Sequence, residues 1–199
     1  MGEDEAPAAS KGFQVGVRAG LGVPFAKATE NAKMSDTFSP QFRVGADIGV
    51  KLTSEWFLGG YVGLGLGGTA GGTSQACDAA NVSCGVATFQ LGVEGQYHFL
   101  PNQKINPWIG YGIGWEFSDL SRGSSASSTF SGPDFMHLMG GADFRISRTV
   151  AMGPFLDTSL GVYNHASTQN GGTTVSTSLQ GEKTVHGWVS LGVHVVFFP

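Results

Sequence analysis

In eight stretches of this chain every second residue is uncharged and mostly apolar, and the charged residues fall between them. The run at 41–52 shows the pattern plainly: Phe42, Val44, Ala46, Ile48, Val50 and Leu52 share one parity, and Arg43, Asp47 and Lys51 the other. A period of two is that of a β-strand, whose successive side chains point to opposite faces. The eight runs lie at 12–23, 41–52, 56–67, 88–100, 106–117, 135–146, 150–163 and 185–198. Most have at least the roughly 9–11 residues with which a tilted strand crosses a bilayer. The connections alternate strictly in length. Residues 24–40, 68–87, 118–134 and 164–184 are long and polar, whereas 53–55, 101–105 and 147–149 are short.

Two architectures satisfy such alternation, and they differ in which face looks inward. The uncharged parity holds Phe13, Val15, Val17, Ala19 and Leu21 in the first run and Val189, Leu191, Val193, Val195 and Phe197 in the last. The opposite parity holds Arg18, Arg43, Asp47, Lys51, Glu94, Glu116, Asp143, Arg145 and Asp157, with His98, His137, His186 and His194, interspersed with glycine. In a soluble sandwich the charged face would meet water, and glycine along it would only weaken the strands. In a narrow barrel the charged face lines the interior, where small residues make room for long ones. A cation on the outer face of such a barrel costs about 2–4 kcal/mol at the bilayer midplane, which accounts for its absence there. The glycines of GGYVGLGLGG (59–68) are explained in the same way. They contain a G-x-G-x-x-G match at Gly63, Gly65 and Gly68, but the following TAGGTSQAC shows no helix start to receive a phosphate. The expected fold is therefore all-β: an eight-stranded antiparallel up-and-down transmembrane β-barrel with four long extracellular loops and three short periplasmic turns.

Composition narrows the field further. Of 199 residues 13% are charged, 32 are Gly and the net charge is −4 with scattered cations, which gives nucleic acid no basic surface. No uncharged apolar run reaches the roughly 18 residues of a membrane-crossing helix. The first ten residues, MGEDEAPAAS, lack the basic and apolar regions of a signal peptide. Residues 1–11 are read as a flexible segment and 12–199 as the barrel domain. Cys77 and Cys84 sit in a polar loop without a nearby histidine, so a disulfide in an oxidising compartment is expected rather than a metal or redox site.

With its eight alternating runs and a C-terminal VSLGVHVVFF similar to the signal read by barrel-assembly machinery, the chain resembles small outer-membrane barrels of the OmpA/OmpX type, with the OmpW type as second choice. Pro199 after Phe198 departs from the usual terminal aromatic. The resemblance implies a bacterial outer-membrane location in a Gram-negative envelope, periplasmic termini and extracellular loops. It also implies contact with outer-membrane lipid and lipopolysaccharide, with the assembly machinery, and with a surface or envelope protein partner. No cofactor is expected.

Several residue groups are candidates for function. The nine luminal charges, four positive and five negative, are expected to pair into a plug, giving a structural or surface-interaction protein that works through its loops. The alternatives are a small porin-like channel for polar solutes and an OmpW-like passage for hydrophobic molecules, the latter needing Phe57, Tyr61, Phe155 and Tyr163 to line an open funnel. A more remote one is a hydrolase. YNHAST (163–168) resembles the H-x-S-N element of lipid A deacylase, with His165, Ser167 and Glu182 as the acting groups, although Thr168 replaces the Asn. The four luminal histidines are expected to join the polar network singly and not to bind metal.

Overall fold

The computed structural model describes residues 11–29, 32–123, 126–179 and 184–198. Its first strand, β1 (Gly12–Thr29), has β3 (Phe38–Lys51) on one side, with a two-residue β2 (Ala32–Lys33) between them in sequence. There follow β4 (Trp56–Thr69), α1 (Gly71–Ala79), β5 (Cys84–His98), β6 (Ile105–Arg122), β7 (Ala126–Arg145) and β8 (Val150–Val162). A hairpin of β9 (His165–Asn170) and β10 (Thr173–Ser178) precedes β11 (Val185–Phe197). Neighbouring wall strands pair antiparallel in sequence order, and β11 pairs with both β8 and β1, so the sheet closes on itself. The closing seam runs without interruption from Val15↔Phe197 to Ala26↔His186. Eight strands, β1, β3 to β8 and β11, thus form a closed antiparallel barrel.

Burial follows the alternation. Leu21, Ile48, Leu58, Val93, Leu156 and Leu191 lie exposed on the outside, each more than half open, while Asp47, Glu94, Glu116 and His194 are buried inside. Many inward glycines face a side chain that fills their space. A Cβ on Gly16 would meet the Asp47 carboxylate at 2.4 Å, and one on Gly65 would meet Gln41 Oε1 at 2.2 Å. Glycine therefore does make room inside the barrel.

The strands overrun the expected bounds at the long-loop end. β6 and β7 continue pairing from Phe117↔Ser131 to Arg122↔Ala126, where a loop was expected. Their Ser- and Thr-rich ends carry no hydropathy contrast, so alternation cannot mark them. β9 lies along this extension, from Ser131↔His165 to Ala126↔Asn170. The β9–β10 turn is Gly171–Gly172, both at positive φ, as a two-residue hairpin of this twist requires.

TAGGTSQAC, expected to lack a helix, contains α1. Its N-cap Ala70 makes no side-chain cap, consistent with the missing start signal. The helix is held from outside: Ala70 N–H donates to Thr37 O at 3.0 Å, and Cys77 is joined to Cys84 at the start of β5. Thiol labelling of the unreduced, unfolded protein is expected to give no signal, and two labelled thiols after export would refute the bond. Serine at both positions is expected to lower stability by roughly 2–3 kcal/mol, the loop-closure entropy of so short a ring. The segment 1–11, apart from Lys11, and Pro199 lie outside the described residues.

Candidate functional site

The inward face is a stack of polar clusters between the short-turn end and the long-loop end. Nearest the turns, Asn106 Nδ2 donates to His98 Nδ1 at 2.8 Å. His194 reaches Asp143 at 3.3 Å through Nδ1 and Asp47 at 3.7 Å through Nε2. Trp108, Met139 and Phe155 form a small apolar cluster here, with the Trp108 ring 5.1 Å from His194. At the rim, Lys51 donates to Ser54 O at 2.9 Å and Arg145 to Pro101 O at 3.0 Å.

Arg18 is the hub of the middle level. Its guanidinium donates to Asp47 at 2.9 Å and to both oxygens of Glu94 at 2.8 and 2.9 Å. Gln96 Nε2 donates to the same Glu94 at 2.6 Å. All four residues are buried, so the three charges depend on one another and on the Gln96 amide rather than on water. Beside them His137 bonds Asp157, and the Tyr61 ring stands edge-on to His137 at 4.6 Å with its hydroxyl directed to Asp134.

Above, Glu116 accepts from Tyr163 Oη at 2.6 Å, Gln90 Nε2 at 2.8 Å and Trp188 Nε1 at 3.4 Å, and His186 Nε2 lies 3.3 Å away. Arg43 bonds the Gln90 amide oxygen and lies 5.1 Å from the centre of the Trp188 ring. An apolar cap closes this level: Met34, Phe38, Val86, Tyr163 and Trp188 are buried together, with Leu120, Phe130 and Leu179 packed on them. Met34 comes from a single turn of 3-10 helix, Met34–Asp36, in the first long connection. A cavity of about 40 Å³ bordered by Arg18, Arg43, Tyr61, Gln90 and His137 lies between the middle and upper levels. It has room for water and not for a solute.

The nine expected luminal charges all lie on the inward face, but they do not pair simply with one another. Arg18 forms ion pairs with Asp47 and Glu94. Glu116, Asp143 and Asp157 instead meet His186, His194 and His137. The strand stagger sets these levels, and the sequence does not display it. Asp134, the sixth luminal carboxylate, fell within the expected loop 118–134. A register shift between Asp134 and Met136 interrupts the parity just after it, so no strand pattern reaches it. Charge at the edge of a run was the only available signal.

The remaining candidates separate. Phe57, Tyr61, Phe155 and Tyr163 are buried, but Tyr61 packs on His137, Tyr163 stacks on His186 at 3.7 Å and Phe155 joins Trp108, so they line no open funnel. His165 is exposed on β9, and Ser167 Oγ lies 3.3 Å from Ser176 Oγ, so the hydroxyl meets a serine and not the histidine of its own strand. Glu182 lies outside the described residues. Among the described residues no group of three or more His, Cys, Asp or Glu is placed to hold a metal.

Known proteins share this architecture at low sequence identity. The chain is similar to Neisserial surface protein A, with 12% identity over 96% of this chain and 99% of that one and a TM-score of 0.60. OprG of Pseudomonas aeruginosa is similar at 13% identity, over 96% and 98% of the two chains, with a TM-score of 0.54. AlkL, whose structure was determined in lipid bilayers, has 15% identity over 100% and 96%, with a TM-score of 0.54. No curated protein matches the sequence. The profile of the outer membrane protein beta-barrel domain matches residues 5–189, and the chain belongs to that family of outer-membrane β-barrels.

Proposed function

We propose that this protein is a non-conducting outer-membrane barrel whose working surface is its long-loop end, turned to the cell exterior, with both termini in the periplasm. The observation that carries this reading is the filled interior. Three stacked polar clusters and the Met34–Phe38–Val86–Tyr163–Trp188 cap occupy the lumen, and a cavity of about 40 Å³ lies beside Arg18 and Arg43. Eight strands enclose just enough room for side chains to fill. The loop end offers rigid material for contact: the extended β6–β7 hairpin, the β9–β10 hairpin beside it, and α1 stapled by Cys77–Cys84. In this reading the outer surface meets membrane lipid and lipopolysaccharide, β11 is the strand presented to the assembly machinery, and a surface or envelope protein is the partner of the loops.

Planar-bilayer recording tests the reading. Protein shown to be folded by its altered gel migration before boiling is expected to leave the bilayer at its leak level. Unitary steps of reproducible size from the same material would make it a channel and remove the reading.

A further inference from the structure

The two ends of the barrel differ in charge. Among the described residues, the long-loop end carries Lys27, Lys33 and Arg122 against Asp36, Asp78 and Asp119, an even balance. The turn end carries Lys11, Lys51, Lys104, Arg145 and Arg148 against Glu55 and the buried Asp143. Glu55 is moreover occupied by the Thr53 and Ser54 hydroxyls.

Three of these cations share one sector of the rim. Arg145 N–H donates to Lys104 O at 2.9 Å, and Arg148 lies in the turn that follows β7. In that turn Thr149 O accepts from Phe198 N–H at 2.8 Å. The Phe198 ring has Lys51 Nζ at 5.6 Å and the Arg145 guanidinium at 5.7 Å from its centre. The cations therefore gather around the last residues of the chain.

On the outside of the wall at the same place is an apolar crevice of about 490 Å³, bordered by Phe13, Val15, Thr149, Phe197 and Phe198. Phe13 and Phe197 are 47% and 44% exposed on the outer face. The exposed Trp56 meets Tyr97 edge to face, and Tyr97 meets Phe99 in the same way, giving at this end the aromatic girdle that marks the membrane–water interface. Cations beyond the girdle sit at headgroup depth, and the crevice faces hydrocarbon.

Neither feature alone selects a ligand, since any acyl chain fills a groove and any anion approaches a cation. Together they select a molecule that carries both. We infer that the crevice beside Phe198 and the exposed cations Arg148 and Lys104 form a binding site for an anionic phospholipid of the leaflet at the turn end. One acyl chain lies along Phe13, Val15 and Phe197, and the phosphate meets the basic cluster. Basic clusters at a membrane surface attract anionic headgroups by about fivefold per cation before screening, so anionic and zwitterionic lipids are separated here by electrostatics. The other candidate anion is the chain's own Glu3-Asp4-Glu5, close in sequence to β1.

The test measures how full-length protein in zwitterionic vesicles partitions spin-labelled phosphatidylglycerol against spin-labelled phosphatidylcholine, read as the motionally restricted fraction. Wild type is expected to prefer phosphatidylglycerol by on the order of tenfold at low salt, and far less at high salt. K104Q/R148Q, exposed positions whose loss leaves the wall intact, is expected to approach parity while keeping its heat-modifiable migration. Equal restriction of the two lipids by wild type would overturn the site, as would a preference unchanged in K104Q/R148Q. E3Q/D4N/E5Q is expected to leave the preference unchanged. A weak preference that rises in this variant would show the acidic segment as occupant and overturn the assignment to lipid.

Discussion

Replacing Arg18 by Met is expected to cost about 3–5 kcal/mol, read from the urea midpoint of refolding into lipid vesicles. The size follows from what is left behind. Arg18 pairs with Asp47, which His194 also approaches, and it donates twice to Glu94. Both carboxylates have no solvent-exposed side-chain surface, so removal of the guanidinium strands two buried acids. A cation hidden in a barrel need not itself be net stabilising, because its desolvation offsets much of its attraction. The triple variant R18M/D47N/E94Q removes the charges together and is expected to recover most of the loss. A single R18M variant as stable as wild type would show that the hub holds nothing in place.

Ile48→Arg is expected to cost about 2–4 kcal/mol in the same assay. Ile48 is 55% exposed on the outer face and pairs with Gly60 of β4. Trp56 of the interfacial girdle precedes Gly60 in that strand, about 10 Å lower along the barrel axis at usual strand rise and tilt. That is near the middle of an apolar band roughly 25 Å tall. Asp47→Asn, one residue away and facing inward, is expected to cost less, since the amide oxygen still accepts from Arg18. If the order is reversed, with Ile48→Arg folding normally and Asp47→Asn failing, the apolar face is the interior and the protein is not a transmembrane barrel.

How far the sequence discloses this molecule depends on contrast between neighbouring residues. From Phe42 to Leu52 large apolar groups alternate with charges or glycine, and the resulting strand, face and direction are all legible. From Ser118 to Ser131 most residues are small or polar, and Leu120 and Phe130 stand too far apart to mark a face, so the β6–β7 extension gives no such signal although it pairs as regularly. α1 is invisible for a different reason, as its order depends on Cys84 and Thr37 and not on its own periodicity. Within the interior, parity identifies Arg18, Glu94 and the histidines as inward. It cannot say that His137 meets Asp157 while His98 meets Asn106, because such pairings depend on the stagger between strands far apart in sequence. Asp134 combines both difficulties, lying in a low-contrast stretch and next to a break in register.

The apolar cap divides the long-loop end into parts with opposite freedom to change. Met34 and Phe38 belong to a surface connection but are 0% and 2% exposed, packed with Trp188 and Val86 as interior residues are. Substitution there carries the penalties of a core position, large-to-small changes leaving voids and larger groups colliding. Gly171 and Gly172 at the β9–β10 tip touch nothing within 4 Å of where a side chain would begin, and the backbone turn is the constraint on them. Foreign peptide segments grafted between β9 and β10 would thus extend a hairpin whose tip already meets nothing, although β9 itself pairs with β7. The same graft between β2 and β3 would remove the lid and expose Glu116 and His186 to bulk water. Tolerance of new sequence at the Gly171–Gly172 tip and core-like constraint at Met34 and Phe38 thus belong to the same end of the barrel.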